Sequence, residues 1–208
     1  MLAFLLAGLL TCPVPGSMEI VGLWESRETS KGGIGHTVEF REDGTFVEAI
    51  TVIVNGFYRL DGNRLLLSET VGGTEAGSQF RVEGNTFVHI GPDGSVSRKE
   101  RLKGPSAAEG SVAGNWSYRH YTGAIAFERY TNNGQMLFRL PLKSSSGCYS
   151  VSGRGLSWSP QGRNIVAKLQ VRGDTLALEN PARSTTVYVR EPSGPWYDRE
   201  HLDIKPVR

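Results

Sequence analysis

The sequence has few of the residues that most catalytic and metal sites need. It contains two cysteines and four histidines in 208 residues. It also has no Gly-x-Ser-x-Gly nucleophile elbow, no His-Glu-x-x-His pair, no phosphate-binding glycine loop and no paired cysteines for zinc. We therefore expect a protein that is not an enzyme and that uses no cofactor and no metal.

A strong charge of either sign is also missing. The chain carries 23 basic and 21 acidic residues, a net charge of +2. The densest basic stretch, residues 98–103, is interrupted by Glu100. Nucleic-acid surfaces normally show a basic face or stripe, so we expect no nucleic-acid partner.

The longest apolar run covers only the first ten residues. This is too short to span a bilayer and is typical of a signal-peptide core. We predict a signal or lipoprotein leader at residues 1–17 and a secreted or periplasmic protein. The alternative is a misassigned start on a cytoplasmic protein. Residues 9–12 resemble a lipoprotein box, so membrane contact is expected only through a lipid anchor at Cys12. Leader removal would leave Cys148 alone and exclude an internal disulfide.

No stretch shows a helical period over ten residues, whereas alternation with a period of two recurs. Met136, Phe138 and Leu140 alternate with Leu137 and Arg139, which predicts strands. Asp-Gly and Asn-Gly pairs between such runs are strong hairpin signals. Eight short strands are predicted in the first half, and they begin near Val21, Thr37, Thr45, Gly56, Arg64, Gln79, Thr86 and Ser95.

One pattern occurs twice. Gly22-Leu23-Trp24 returns as Gly114-Asn115-Trp116, and residues 56–58 and 82–87 also return at nearly the same offset. A repeat of this kind indicates a duplicated structural unit. We predict an antiparallel barrel at residues 18–103, a linker at 104–112, a second barrel at 113–191 and a tail at 192–208. Closure into up-and-down barrels would remove exposed strand edges.

The repeated Gly-x-Trp on a first strand, the meander of short strands and the arginine on each last strand resemble the lipocalin-like (calycin) group. The resemblance implies a fold of two tandem small antiparallel up-and-down β-barrels. It also implies that a tryptophan plugs one end of each barrel and that the arginine of the same repeat lies across its ring. The implied structural residues are Gly22, Trp24 and Arg101 in the first repeat, and Gly114, Trp116 and Arg190 in the second.

Three polar residues of the first repeat share a phase with aromatic residues. If Phe40 and Phe46 point inward, then so do His36 and Glu48, and an inward Phe87 brings His89 inward. Three readings stay open: a bulge turns these residues to solvent, they form a satisfied structural pair, or they bind a ligand. The equivalent residues of the second repeat are apolar: Ala126, Phe138 and Leu178.

The predicted function is an exported, lipocalin-like binding protein for a small apolar ligand or a cell-envelope component, held by His36, Glu48 and His89. The alternative is an interaction module with filled barrels that recognises a protein partner. A cavity of about 300 Å³ or more is the usual scale of a small-molecule site and would favour the first function.

Overall fold

The computed structural model describes residue 12 and residues 18–102, 110–159 and 164–191. These parts form fourteen strands. No helix among them is long and apolar enough to cross a bilayer. The strands are β1 Gly22–Ser26, β2 Ile34–Phe40, β3 Thr45–Asp61, β4 Arg64–Ser68, β5 Ala76–Glu83, β6 Thr86–Ile90, β7 Val96–Arg101, β8 Gly114–Arg119, β9 Ile125–Tyr130, β10 Gln135–Ser152, β11 Gly155–Trp158, β12 Ile165–Arg172, β13 Thr175–Glu179 and β14 Thr185–Arg190.

The strands form one antiparallel ring, which confirms the all-β prediction. Each strand pairs with its neighbour in sequence, and β14 closes the ring on β1. Tight turns make these neighbours possible. At the β3–β4 turn, Gly62 has a φ of 58°, and no atom lies within 4 Å of where its Cβ would be. Glycine is therefore favoured there by backbone conformation and not by space.

The first half contains seven strands, not the predicted eight, because β3 runs without a break through Asn55 and Gly56. Gly56 is not a turn residue. A Cβ on Gly56 would lie 2.7 Å from the carbonyl oxygen of Ser68 on β4, so glycine permits the close approach of two strands. Gly147 plays the same part in β10, facing the carbonyl oxygen of Ser159.

The long strands β3 and β10 also pair with each other, from Thr45–Cys148 to Phe57–Gln135. This pairing divides the ring into two circuits of eight strands each. Circuit A consists of β1, β2, β3, β10, β11, β12, β13 and β14. Circuit B consists of β3, β4, β5, β6, β7, β8, β9 and β10.

Each circuit takes strands from both sequence repeats, so two tandem barrels, one per repeat, are not confirmed. The length of β3 explains the arrangement. Its residues 46–52 pair with β2 in circuit A, and its residues 57–61 pair with β4 in circuit B. The predicted domain boundaries at residues 103 and 113 stay a prediction.

Each circuit has its own apolar core. The core of circuit A contains the fully buried Trp24, with Phe40, Phe46 and Tyr149 among its neighbours. Circuit B is built around Trp116. The two indoles are held alike, since Trp24 Nε1 donates to Ile20 O at 2.7 Å and Trp116 Nε1 donates to Val112 O at 2.8 Å.

A third layer joins the circuits. Leu23 and Val47 from circuit A pack with Phe127 from circuit B. Beside them, the guanidinium of Arg139 makes two hydrogen bonds to Glu25, at 2.7 and 2.6 Å, and two more to backbone carbonyls. Arg139 is 2% exposed. A buried charge is tolerated when it is paired and hydrogen-bonded in this way.

A disulfide joins Cys12 to Cys148, with 5.3 Å between the two Cα atoms. The expectation that the chain has no internal disulfide was wrong. It assumed that Cys12 leaves with a leader, whereas here Cys12 is bonded to Cys148 of β10. The carbonyl oxygen of Cys148 accepts a hydrogen bond from Ser159 N, just after the end of β11.

Candidate ligand cavity in circuit B

Circuit B lines a partly open cavity of about 190 Å³. One part of its wall is apolar and consists of Val54, Leu67, Met136 and Phe138. The other part carries polar groups from four strands: His89, Ser97, Lys99, Tyr118, Glu128 and Tyr130. A concave apolar site with a few convergent polar groups is the usual form of a small-molecule site.

The polar part is centred on an ion pair between Lys99 and Glu128. Strand β7 supplies Lys99 and β9 supplies Glu128, with β8 between them. Lys99 is 2% exposed and Glu128 is 7% exposed, and Lys99 Nζ donates to Glu128 Oε2. Breaking such a buried pair by removing one partner leaves an uncompensated charge, which usually costs about 3–5 kcal/mol.

Three aromatic rings surround the ammonium group. Lys99 Nζ lies 4.8 Å from the ring centre of Phe87, 5.2 Å from that of Tyr118 and 5.9 Å from that of Tyr130. Each distance is within the range of a cation–π attraction. The rings therefore stabilise the positive charge together with Glu128.

The two tyrosines also contact the carboxylate. Tyr130 Oη donates to Glu128 Oε2 at 2.7 Å. Burial, followed by the charge of Glu128, raises the pKa of both Tyr130 and Tyr118 far above the ordinary value. Both phenols are therefore neutral at pH 7. Burial alone would raise the pKa of Glu128, but Lys99 and the hydrogen bonds from Lys99 and Tyr130 outweigh it and lower that pKa.

His89 is the one predicted ligand residue that lines this cavity. Its Nε2 is 2.6 Å from the hydroxyl of Ser78. Burial, together with the nearby charge of Lys99, lowers the pKa of His89, while Glu128 opposes the shift. The imidazole is therefore neutral at pH 7.

The structure does not bring His36 and Glu48 together with His89. His36 and Glu48 are half-buried residues of circuit A. Glu48 accepts a hydrogen bond from the hydroxyl of Ser145 at 2.8 Å. Burial, with a smaller contribution from Glu48, raises the pKa of Tyr188 to about 12. The two circuits divide the first repeat, so that His36 and Glu48 lie on strands of circuit A and His89 lies on a strand of circuit B. Ligand binding by His36 and Glu48 stays a prediction.

The arginine–tryptophan contacts implied by the resemblance are present, but with exchanged partners. Arg190 Cζ lies 4.0 Å from the ring centre of Trp24, and Arg101 Cζ lies 4.0 Å from that of Trp116. The expected pairs, Arg101 with Trp24 and Arg190 with Trp116, were wrong. The reason is strand pairing, since β14 lies beside β1 and β7 lies beside β8.

The glycine two residues before each tryptophan makes room for the guanidinium. Gly22 has a φ of 131°, and a Cβ there would lie 2.7 Å from Nη1 of Arg190. Gly114 has a φ of 134°, and a Cβ there would clash with Nη1 of Arg101. The Gly-x-Trp pattern is thus explained by backbone conformation and by packing under an arginine.

The sequence interpretation missed Lys99, Glu128, Tyr118 and Tyr130. The alternation could have indicated them, because residues two apart in a strand lie on the same face of the sheet. Glu128 therefore shares a face with Ala126 and Tyr130, and Lys99 shares a face with Arg101. What the alternation could not show is that β7 and β9 place these two charges in one interior.

Circuit A is apolar where circuit B carries the ion pair. Lys99 lies two residues before the stacked Arg101. The residue two positions before the stacked Arg190 in circuit A is Tyr188. Glu128 lies two residues before Tyr130. Phe40 is the counterpart of Tyr130 in circuit A, and the residue two positions before it is Val38. Trp158 stands where circuit B has Leu67, and it packs against the core of circuit A. The larger indole fills space that the smaller leucine leaves open in circuit B.

No family model, curated protein or solved structure matches the chain. Among the described residues, no group of three or more histidine, cysteine, aspartate or glutamate side chains is placed to hold a metal ion.

Proposed function

We propose that this protein is a binding protein that holds a small, largely apolar ligand in the cavity of circuit B. The observation that carries the proposal is the cavity itself, with apolar residues on one part of its wall and the Lys99–Glu128 pair on another. Its volume of about 190 Å³ lies below the usual lower bound of about 300 Å³ for drug-sized ligands. The cavity does not reach the size that would favour a drug-sized ligand, so the proposal is limited to smaller molecules.

The arrangement supports binding more than catalysis. The carboxylate of Glu128 is engaged by Lys99 and by Tyr130. A general base needs to reach a proton of the substrate or of a nucleophile, and in this cavity the candidate acid and base neutralise each other.

The proposal is tested with small apolar probes and a residue change that fills the cavity. Met136 lines the cavity, whereas Met18 lies before β1 in circuit A. In protein labelled with ¹³C at the methionine methyl groups, benzene and cyclohexane should shift the Met136 signal in a saturable way and leave Met18 unchanged.

The Leu67→Trp variant copies the residue found in circuit A and should weaken binding at least tenfold by occupying the space. Leu67→Met conserves side-chain volume and is the matched control that should retain binding. The absence of a saturable Met136 shift in the wild type would contradict the proposal, as would equal affinity in Leu67→Trp.

We further propose that each circuit is a small lipocalin-like barrel, so that the two barrels share β3 and β10. Support comes from the separate core of each circuit and from the matched arginine–tryptophan contacts at Trp24 and Trp116. A closed arrangement leaves no free strand edge in either circuit.

We also propose that the protein is exported to an oxidising compartment. The Cys12–Cys148 disulfide supports this, since disulfides persist mainly outside the cytosol. If a leader is removed, cleavage comes before Cys12. The sulfur of Cys12 cannot carry a lipid while it forms the disulfide, so a lipid anchor there is no longer proposed.

Recognition of a protein partner remains the alternative function. The large cluster of buried residues in circuit A favours it, as does the ring of Tyr121, which is 92% exposed beside His120 at the β8–β9 turn. The alternative predicts that none of the apolar probes shifts the Met136 signal.

A further inference from the structure

We infer that the ligand of circuit B is an uncharged molecule with an acceptor oxygen, such as an ether or a carbonyl, bound to Lys99 Nζ. The inference rests on the proposed function and specifies its ligand class. It is carried by the charge balance of the cavity wall and by the hydrogen-bonding capacity of Lys99.

The charges of the wall cancel. Lys99 and Glu128 are ionised partners of opposite sign, and they are the only residues among the described lining that carry a charge at pH 7. The two phenols and the imidazole are neutral, as argued above. A cationic ligand would meet the Lys99 ammonium, and an anionic ligand would meet the Glu128 carboxylate. Either would bury a charge without a counter-charge, which is costly at low dielectric.

The ammonium group of Lys99 has hydrogen-bond donors that the wall does not use. An ammonium group has three N–H donors. Among the described residues, Lys99 Nζ donates to Glu128 alone. Glu128 Oε2 already accepts from both Lys99 and Tyr130. Two N–H groups of Lys99 therefore have no acceptor among the described residues, and an acceptor atom of the ligand satisfies one of them.

The aromatic rings around Lys99 do not satisfy its unused N–H groups. They lie 4.8 to 5.9 Å from Nζ and compensate its charge without accepting a conventional hydrogen bond. In circuit A, the same two positions hold Val38 and Tyr188, and no lysine is buried there among the residues that the structure describes. The inference thus assigns the ligand to circuit B and gives it an orientation, with its oxygen at Lys99 and its apolar part against Leu67 and Met136.

The test compares three six-membered rings of the same shape, so that only one ring member changes. Cyclohexane has a methylene group there, tetrahydropyran has an ether oxygen, and piperidine is a cation at pH 7. Titration of the Met136 methyl signal in the full-length protein at pH 7 gives the dissociation constants. We expect tetrahydropyran to bind about tenfold more tightly than cyclohexane, and piperidine to bind more weakly than both. Cyclohexanecarboxylate is added as the anion and should also bind more weakly.

The control is the double variant Lys99→Met/Glu128→Gln, which removes both charges together and leaves neither one unpaired. Replacing a buried ion pair by neutral groups of similar volume is often tolerated. In this variant the preference for tetrahydropyran over cyclohexane should fall, because the amide N–H group of the introduced glutamine is a weaker donor than the ammonium group.

The outcomes separate the inference from the proposed function. Equal binding of cyclohexane and tetrahydropyran to the wild type would overturn the inference and leave the binding function intact. Tightest binding of piperidine or of the carboxylate would do the same. If none of the four compounds shifts Met136, then the proposed function itself fails. A preference for tetrahydropyran that is undiminished in the double variant would show that Lys99 does not bind the oxygen.

Discussion

Arg190 stacks on Trp24 at 4.0 Å although the two residues belong to different halves of the chain. The same arginine donates hydrogen bonds to backbone carbonyls of Val21 and Glu19, before β1. The last strand therefore closes on the first, and the contact that the lipocalin-like pattern implies within a repeat is made between repeats.

Removing either arginine should affect one specific tryptophan. Arg190→Ala should shift the indole N–H signal of Trp24 in a nitrogen–proton NMR spectrum, and Arg101→Ala should shift that of Trp116. Each change loses the ring contact and the packing of the side-chain stem. We expect a loss of about 1–3 kcal/mol in the free energy of unfolding. The reverse assignment, with Arg101→Ala shifting Trp24, would contradict the exchanged pairing.

The Lys99–Glu128 pair should show strong coupling in a double-mutant cycle. Lys99→Met alone and Glu128→Gln alone each disturb a buried charge, and we expect Lys99→Met to cost about 3–5 kcal/mol. The double variant should lose much less than the sum of the two, because no uncompensated charge remains. Chemical denaturation at pH 7 measures all four proteins. Additive losses would show that the two groups do not interact in solution.

His89 should make stability depend on pH in the mildly acidic range. Its pKa is lowered in the folded protein by burial and by Lys99. Below the ordinary histidine pKa of 6.5, the unfolded chain therefore takes up a proton on His89 more readily than the folded protein does. The free energy of unfolding falls as the pH falls.

The matched control for this prediction is His89→Leu, which introduces the residue found at Leu178 in circuit A. The pH is lowered from about 7.5 to about 5, a range that brackets the ordinary histidine pKa. Over this range the free energy of unfolding should fall more in the wild type than in the variant. Parallel stability curves for the two proteins would show that His89 does not titrate differently on folding.

The disulfide between Cys12 and Cys148 should be present in exported protein and should stabilise it. We expect no free thiol in the native protein, and a loss of about 2–5 kcal/mol in Cys12→Ser. Cys148→Ser should lose the same amount, and the double variant should lose no more than either single variant. A reactive thiol at native Cys148 in oxidising buffer would be inconsistent with the bond.

The sequence predicted the strands and most turns because alternation and Asp-Gly or Asn-Gly pairs act locally. It did not predict which strands close each circuit. Since both repeats carry the same pattern, Arg101 and Arg190 fit Trp24 equally well by residue type. The missing information was the length of β3, which is long enough to pair in both circuits. Gly56 resembles a turn residue in the sequence, and the prediction therefore divided β3 into two strands. Of the cavity, only His89 was predicted, because the ion pair depends on strands that the repeat-by-repeat interpretation kept apart.

The sharing of β3 and β10 by two circuits is tested most directly by cutting the chain between the repeats. A protease site is placed between Leu102 and Gly110, in a protein with Cys12→Ser and Cys148→Ser so that no covalent bond joins the halves. After cleavage, size-exclusion chromatography and thermal unfolding measure association and stability. We expect the halves to stay together as a folded complex, and to dissociate and unfold in one transition, because each half supplies strands to both circuits. Halves that separate in native buffer, each with its own cooperative unfolding transition, would contradict the shared strands and would restore one barrel per repeat.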